Sequence, residues 1–271
     1  MNADPPTFYQ ALDRPEVLGL LFHPRKAAGP VDGGSRFKEL RIPVAPDIGV
    51  GTRFYMGQHH QPVILFFHGN GEIVADYDDI APLFNRLGVS FIAADYRGYG
   101  CSDGYPTVAA MMADCHVLFD FICQWLQEER FSGPLMVMGR SLGSASALEL
   151  AATHGEHIDG LIIESGFART QPLLRLLGID PQRIGFSEPE GFINRDKIRA
   201  FTGPTLIIHA EFDHIIPFGD GQALFDASGA TDKVLLKIPG ANHNDIFMRG
   251  MDAYLSAIAK LAGGLMGAEP V

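Results

Sequence analysis

The sequence predicts an α/β fold: a mostly parallel central sheet with helices on both of its faces. Two kinds of segment carry this expectation. Short, wholly apolar runs such as Val63–Phe67 (VILFF) and residues 89–94 (VSFIAA) have the length and composition of strands buried on both faces. Longer segments such as 107–130 repeat apolar residues three and four apart, the period of a helix with one buried stripe. From Val63 onward the two kinds alternate, which calls for parallel strands joined by right-handed crossovers.

Taken in order, residues 1–35 are rich in Pro, Gly and Asp without a clear period, and read as an N-terminal arm that partly packs on the domain formed by 36–271. Residues 37–43 and 52–56 alternate like half-buried strands and fit an antiparallel lead-in. Strands follow at 63–67, 89–94, 135–138, 160–163, 205–209 and 234–238. Helices fall at 75–87, 107–130, 142–153, 219–227 and 244–261. The stretch 165–195 breaks the alternation. It holds Pro172, Pro181 and Pro189, and only 173–177 is clearly helical. Such an insertion is either a short cap over a site or a surface connection.

Composition narrows the function classes. A net charge of -11 repels phosphate backbones, and no Lys/Arg run exceeds the pair Arg25-Lys26, so no nucleic-acid partner is expected. Residues 1–9 lack the basic and apolar regions of a secretory signal, and no apolar run approaches a membrane span. Cys101, Cys115 and Cys123 are odd in number, and the last two lie eight residues apart on one helix, about 12 Å, too far for a disulfide. No pair has zinc-ligand spacing, so no metal is expected. A reducing compartment, the cytoplasm, is the expected location.

The strongest local signal is Gly139-Arg140-Ser141-Leu142-Gly143, between a strand and a helix. It matches G-x-S-x-G, a turn so tight that its flanks favour glycine and its serine is held in a strained conformation at the end of the sheet. Asp213 follows the strand TLIIHA, where a carboxylate can orient a histidine. It also suits a turn or helix cap, since Pro217 and a helix come next. Glu211 and Glu164 are rival acids. His243 lies between the last strand and the last helix, one of ten histidines but placed after the serine and the aspartate. Ser102 and Cys101 sit in another small-residue motif that lacks a strand-to-helix elbow.

These motifs together resemble the α/β-hydrolase superfamily over about residues 63–243. The match consists of His68-Gly69-Asn70-Gly71, Asp95-Tyr96-Arg97-Gly98-Tyr99-Gly100-Cys101-Ser102, the elbow, and the pair Asp213 and His243, in the family's order. Ala210 stands where the family usually has glycine. The resemblance implies the α/β-hydrolase fold with a short cap and a catalytic triad of Ser141, Asp213 and His243. It also implies an oxyanion hole made by the main-chain N–H groups of Leu142 and Asn70, with Gly71 as the alternative donor. His68 would brace the oxyanion loop.

The branch implied is that of carboxylesterase-like and depalmitoylase-like serine hydrolases, acting without cofactor on a small-molecule or acyl-protein substrate. Phe167, Leu173, Leu174, Leu176 and Leu177 of the insertion either line an acyl pocket or serve as core. A peptidase of prolyl-oligopeptidase type, a cofactor-free haloperoxidase and a non-catalytic binding protein use the same fold and remain alternatives.

Overall fold

The computed structural model describes residues 9–27, 34 and 36–267. Residues 1–8, 28–33 and 35 of the arm, and 268–271, lie outside the described residues. Eight strands form one sheet: β1 (Lys38–Ala45), β2 (Ile48–Tyr55), β3 (Val63–Phe67), β4 (Ser90–Ala94), β5 (Leu135–Arg140), β6 (Gly160–Glu164), β7 (Thr205–Ala210) and β8 (Lys233–Ile238). Their spatial order is β1-β2-β4-β3-β5-β6-β7-β8. β1 and β2 form an antiparallel hairpin, and β2 pairs antiparallel with β4. All later pairings are parallel.

Period two along each central strand divides the core. Val63, Leu65 and Phe67 of β3 face one apolar layer, and Ile64 and Phe66 face the other. The first layer is closed by α1 (Pro15–Leu21), α3 (Val108–Glu128), α4 (Ser144–Thr153), α5 (Thr170–Leu176), α6 (Asn194–Ala200) and α7 (Phe218–Ala227). The second is closed by α2 (Ala81–Arg86) and α8 (Ile246–Leu265). Helices therefore cover both faces, as the alternation of segments implies.

Several elements differ from the sequence expectation. The helix expected over 75–87 is a 3-10 turn, Val74–Tyr77, followed by α2. Pro82 has no N–H to give a helix interior, so the helix restarts with this proline in its first turn. The first two strands are longer than expected and meet at Ala45 and Ile48, because Gly49 and Gly51 interrupt the side-chain alternation without interrupting the ladder. Helix α6 was hidden beside the prolines and glycines of the insertion. The last helix runs on to Leu265 and kinks at Gly250.

α3 also corrects the expectation about apolar length. By length and mean hydropathy (1.2 over its most apolar window) it is apolar enough to cross a membrane. Met111, Met112, Cys115, Leu118, Phe119 and Ile122 are buried in the core, which produces the same composition in a helix packed on a sheet.

The arm contains a helix that its composition obscured. Leu12, Val17, Leu21 and Phe22 are buried in the first apolar layer. Asp13 reaches the start of α3, where its carboxylate accepts the N–H groups of Val108 (2.6 Å) and Ala109 (3.3 Å). Thr107 accepts the N–H of Ala110 at 3.0 Å. Three of the four main-chain donors left free at that helix start are thus satisfied, two of them from 95 and 96 residues away. Asp13→Ala should lower unfolding free energy by about 0.5–2 kcal/mol in a urea titration, the usual loss on removing a helix cap. An unchanged midpoint and slope would mean that the arm does not hold α3.

Candidate active site

The site is built at the C-terminal ends of β3, β5, β7 and β8. β5 ends at Arg140, and Ser141 turns the chain into α4 with φ +51°. A left-handed conformation in a residue with a Cβ is strained by about 1–2 kcal/mol, so the surroundings must enforce it. They do so by close backbone packing. A Cβ at Gly139 would overlap the carbonyl of Gly143, and one at Gly143 would overlap the carbonyl of Phe67. The Ser144 hydroxyl caps the turn by donating to the Ser141 carbonyl at 2.6 Å. The serine turn and the loop after β3 are therefore in direct backbone contact.

His243 and Asp213 meet this serine in one chain of hydrogen bonds. His243 Nε2 lies 3.0 Å from Ser141 Oγ, and His243 Nδ1 lies 2.7 Å from Asp213 Oδ2. The other carboxylate oxygen accepts the N–H groups of Ile215 (3.0 Å) and Ile216 (2.7 Å). All three residues are at least 93% buried, with exposures of 7% for Ser141, 7% for Asp213 and 5% for His243. Burial opposes the charge on Asp213, but the bond and charge of His243 and the two N–H groups hold its carboxyl below the ordinary aspartate range. An ionised acceptor at Nδ1 places the ring proton there and leaves the Nε2 lone pair facing the serine hydroxyl.

The rival groups are engaged elsewhere. Glu211 accepts the Gly240 N–H and pairs with Lys237. Glu164 pairs with Arg140. Ser102 Oγ accepts the Gly51 N–H, and burial raises the Cys101 thiol pKa. His214 is exposed.

The loop after β3 is held atom by atom. His68 is wholly buried, with Nδ1 2.8 Å from the Gly69 carbonyl and Nε2 3.1 Å from Asp95 Oδ1. Both ring nitrogens face acceptors, so both donate. Although burial opposes it, Asp95 and the carbonyl raise the imidazole pKa and favour the imidazolium. The Gly69 N–H donates to Glu72 Oε2 at 2.7 Å. The Gly69 carbonyl and the Asn70 N–H belong to one planar, trans peptide and point in opposite directions. With the carbonyl bound by His68, the Asn70 N–H is turned away from the His68–Asp95 pair. No acceptor among the described residues takes it.

Arg140 was missed as a functional residue, yet it joins the loops. Its guanidinium donates to Glu72 Oε1 (2.8 Å), Glu164 Oε1 (2.5 Å) and the His243 carbonyl (3.0 Å). Glu72 also accepts from Tyr77, and Glu164 from Tyr254, each at 2.6 Å. A cavity of about 260 Å³ lies beside this cluster, bounded also by Phe84, Phe247 and Asn244. The available signal was a charged residue between a buried strand and a buried serine, where only a paired guanidinium is tolerated. His209, also missed, donates from Nε2 to the Ile216 carbonyl at 2.8 Å and thereby holds the loop carrying Asp213. In the insertion, Phe167 and Leu174 are core, whereas Leu176 is 50% exposed.

Burial opposes ionisation of Glu72, but Arg140 and Tyr77 lower its carboxyl pKa from 4.5 to about 2. Because the folded value is depressed, the resulting stabilisation is full above 4.5 and is lost as pH falls toward about 2. The stability gap between wild type and Glu72→Gln should therefore be constant above 4.5 and close below it. Urea titrations at stepped pH measure this, and a gap that persists to the bottom of the range would refute the ionised pair.

Residues 58–183 match the family model described as serine aminopeptidase, S33, a span that includes Ser141 and ends before Asp213 and His243. The chain is 31% identical over 186 residues to lysophosphatidylserine lipase ABHD12 of Danio rerio, covering 62% of this chain and 48% of that protein. It is 29% identical over 201 residues to human alpha/beta hydrolase domain-containing protein 17B, covering 69% and 62%. The chain spans about half the length of the lipase relatives it matches. Among solved structures, Est1E from Butyrivibrio proteoclasticus bound to ferulic acid superposes with a TM-score of 0.70 at 19% identity, covering 84% of this chain and 99% of that one. The eight-stranded order and the serine turn after β5 are those of the α/β-hydrolase fold, which the solved structure shares, and over part of its length the chain is similar to these named hydrolases.

Proposed function

We propose that this protein is a serine hydrolase that cleaves a carboxylic ester or thioester through an acyl-enzyme on Ser141. The observation that carries the reading is the buried hydrogen-bond chain from Asp213 through His243 to Ser141. His243 Nε2 takes the serine proton as Oγ forms a bond to the substrate carbonyl carbon. The carbonyl oxygen becomes an oxyanion held by the N–H groups of Leu142 and Asn70. The carbon–leaving-group bond then breaks, and the leaving oxygen or sulfur receives the proton from His243. Water repeats the cycle: His243 takes one proton, the hydroxide adds to the acyl carbon, and Ser141 leaves with the proton returned.

The catalytic unit in this reading is the domain from residue 36 onward, with residues 9–27 of the arm packed against it and 165–195 as a short cap. The substrate is a small molecule or an acylated protein. The printed name of one relative, lysophosphatidylserine lipase, supports an ester substrate. The three unpaired thiols support a reducing compartment, the cytoplasm. An amide substrate is the second reading, favoured by the matched family's description as a serine aminopeptidase.

Hydrolysis of p-nitrophenyl esters from acetyl to palmitoyl tests the reading. Ser141→Ala should lose about a thousandfold or more, and Asp213→Asn about as much, since it permits the wrong imidazole tautomer. A fluorophosphonate should label wild type and not Ser141→Ala. Equal turnover by wild type and Ser141→Ala, or a folded wild type that neither labels nor turns over ester or amide, would overturn it in favour of a binding protein on this fold.

A further inference from the structure

The side chain of Asn70 makes every hydrogen bond open to it, and three of the four go to the N-terminal arm. Asn70 Nδ2 donates to the Leu21 carbonyl at 2.9 Å and to His23 Nδ1 at 2.8 Å. Asn70 Oδ1 accepts the His23 main-chain N–H at 2.9 Å and the Tyr99 hydroxyl at 2.7 Å. A carboxamide has two donors and two acceptor lone pairs, so the group is saturated. The orientation of the amide is determined as well. The atom that faces Tyr99 and the His23 N–H is the acceptor, so the amide nitrogen faces His23 Nδ1, and that ring nitrogen accepts.

The arm is itself anchored on both sides of this contact. Leu21 and Phe22 are buried in the core. The Gly100 N–H donates to the Arg25 carbonyl at 2.8 Å, the Ala27 N–H donates to the Gly100 carbonyl at 3.2 Å, and Lys26 Nζ donates to the Ser102 carbonyl at 2.7 Å. Tyr99 belongs to the same loop, and its hydroxyl also accepts the His23 N–H at 2.9 Å. Residues 21–27 thus run as a strap between the core and the Tyr99–Ser102 turn, with Asn70 clasped in the middle. They lie outside the segment matched by the family model.

We infer that this strap, through Leu21, His23 and Tyr99, is a positioning element of the oxyanion hole. The inference rests on the serine hydrolase reading. Asn70 serves the reaction through its main-chain N–H alone, because its side chain has no capacity left for substrate. A donor must stand 2.7–3.1 Å from where the oxyanion forms, and misplacement by about 1 Å weakens catalysis about a hundredfold. His68 sets the direction of the peptide plane from one side. The strap immobilises the Cα and side chain of Asn70 from the other.

Asn70→Ala separates the clasp from the donor, since it keeps the main-chain N–H and deletes all four side-chain bonds. With the chromogenic ester, kcat should fall about ten- to hundredfold while KM stays within about twofold. His23→Ala and Tyr99→Phe should each give a smaller loss in kcat, about threefold to tenfold, and His23→Gln should recover part of it by restoring an acceptor. Affinity for a trifluoromethyl ketone, whose adduct carries the oxyanion, should fall in parallel with kcat/KM. Circular dichroism checks the fold of each variant, and His23 is exposed, so its substitution spares the core. If wild type is active, Ser141→Ala is dead and the folded clasp variants match wild type, the strap is idle and the inference fails while the hydrolase reading stands. A change confined to KM would also overturn it, since that marks substrate contact. If wild type and Ser141→Ala behave alike, both readings fall together.

Discussion

The guanidinium of Arg140 is the interaction on which the candidate site depends. It lies next to Ser141 in the chain and is buried between two carboxylates, with a third donor on the carbonyl of His243. Through Glu72 it reaches the Gly69 N–H, and through Glu164 it reaches Tyr254 of α8. One planar group therefore ties the serine turn to both loops that must stand beside it. Desolvating an arginine and two glutamates is expensive, and it is tolerated because nearly every donor and acceptor in the cluster is matched. A lysine carries its three donors on a single nitrogen, whereas here three different nitrogens of the planar fork each serve a separate acceptor.

The same dense packing explains how Ser141 keeps its left-handed conformation. No single strong bond enforces it. Gly139 and Gly143 let the backbone fold so tightly that the turn is wedged against the carbonyl of Phe67. Parallel pairing of β3 with β5, in the register Phe67 to Gly139, brings these atoms together. Strain at the serine is thus a consequence of sheet register, and the same geometry sets Leu142 in the first turn after β5, at a helix start.

The fold was legible because buried strands and amphipathic helices leave different periods, and VILFF, VSFIAA and 107–130 show them plainly. Ser141, Asp213 and His243 were legible because their spacing along the chain falls at strand ends. The elements that stayed hidden share one property: their stabilising partners are distant in sequence. α1 is only seven residues long, and its role depends on a core assembled from elsewhere. Glu72, Tyr99 and His23 are ordinary polar residues until Gly69, Asn70 and Arg140 are beside them. Pro82 was visible, but its effect was underweighted against the apolar period of 75–87. At α3 the apolar length was underweighted, since the helix is long and apolar enough to cross a membrane while its apolar residues pack in the core.

Strand order then explains why so much of the polar structure sits on one side. Ser141 follows β5, while Asp213 and His243 follow β7 and β8, the second and third strands over. At about 4.8 Å between strands, the loop after β8 must reach back about 14 Å to bring His243 to the serine. A loop of that reach has no ladder to hold it. Asp213 grips the imidazole from β7, His209 fixes the loop carrying Asp213, and Arg140 holds the His243 main chain from β5. Glu164, at the end of the intervening β6, completes the bridge as the partner of Arg140. The loop after β3 needs no such span, since β3 is the immediate neighbour of β5. Its freedom lies instead on the outer side, away from the sheet, and that is the side on which the N-terminal strap closes over Asn70.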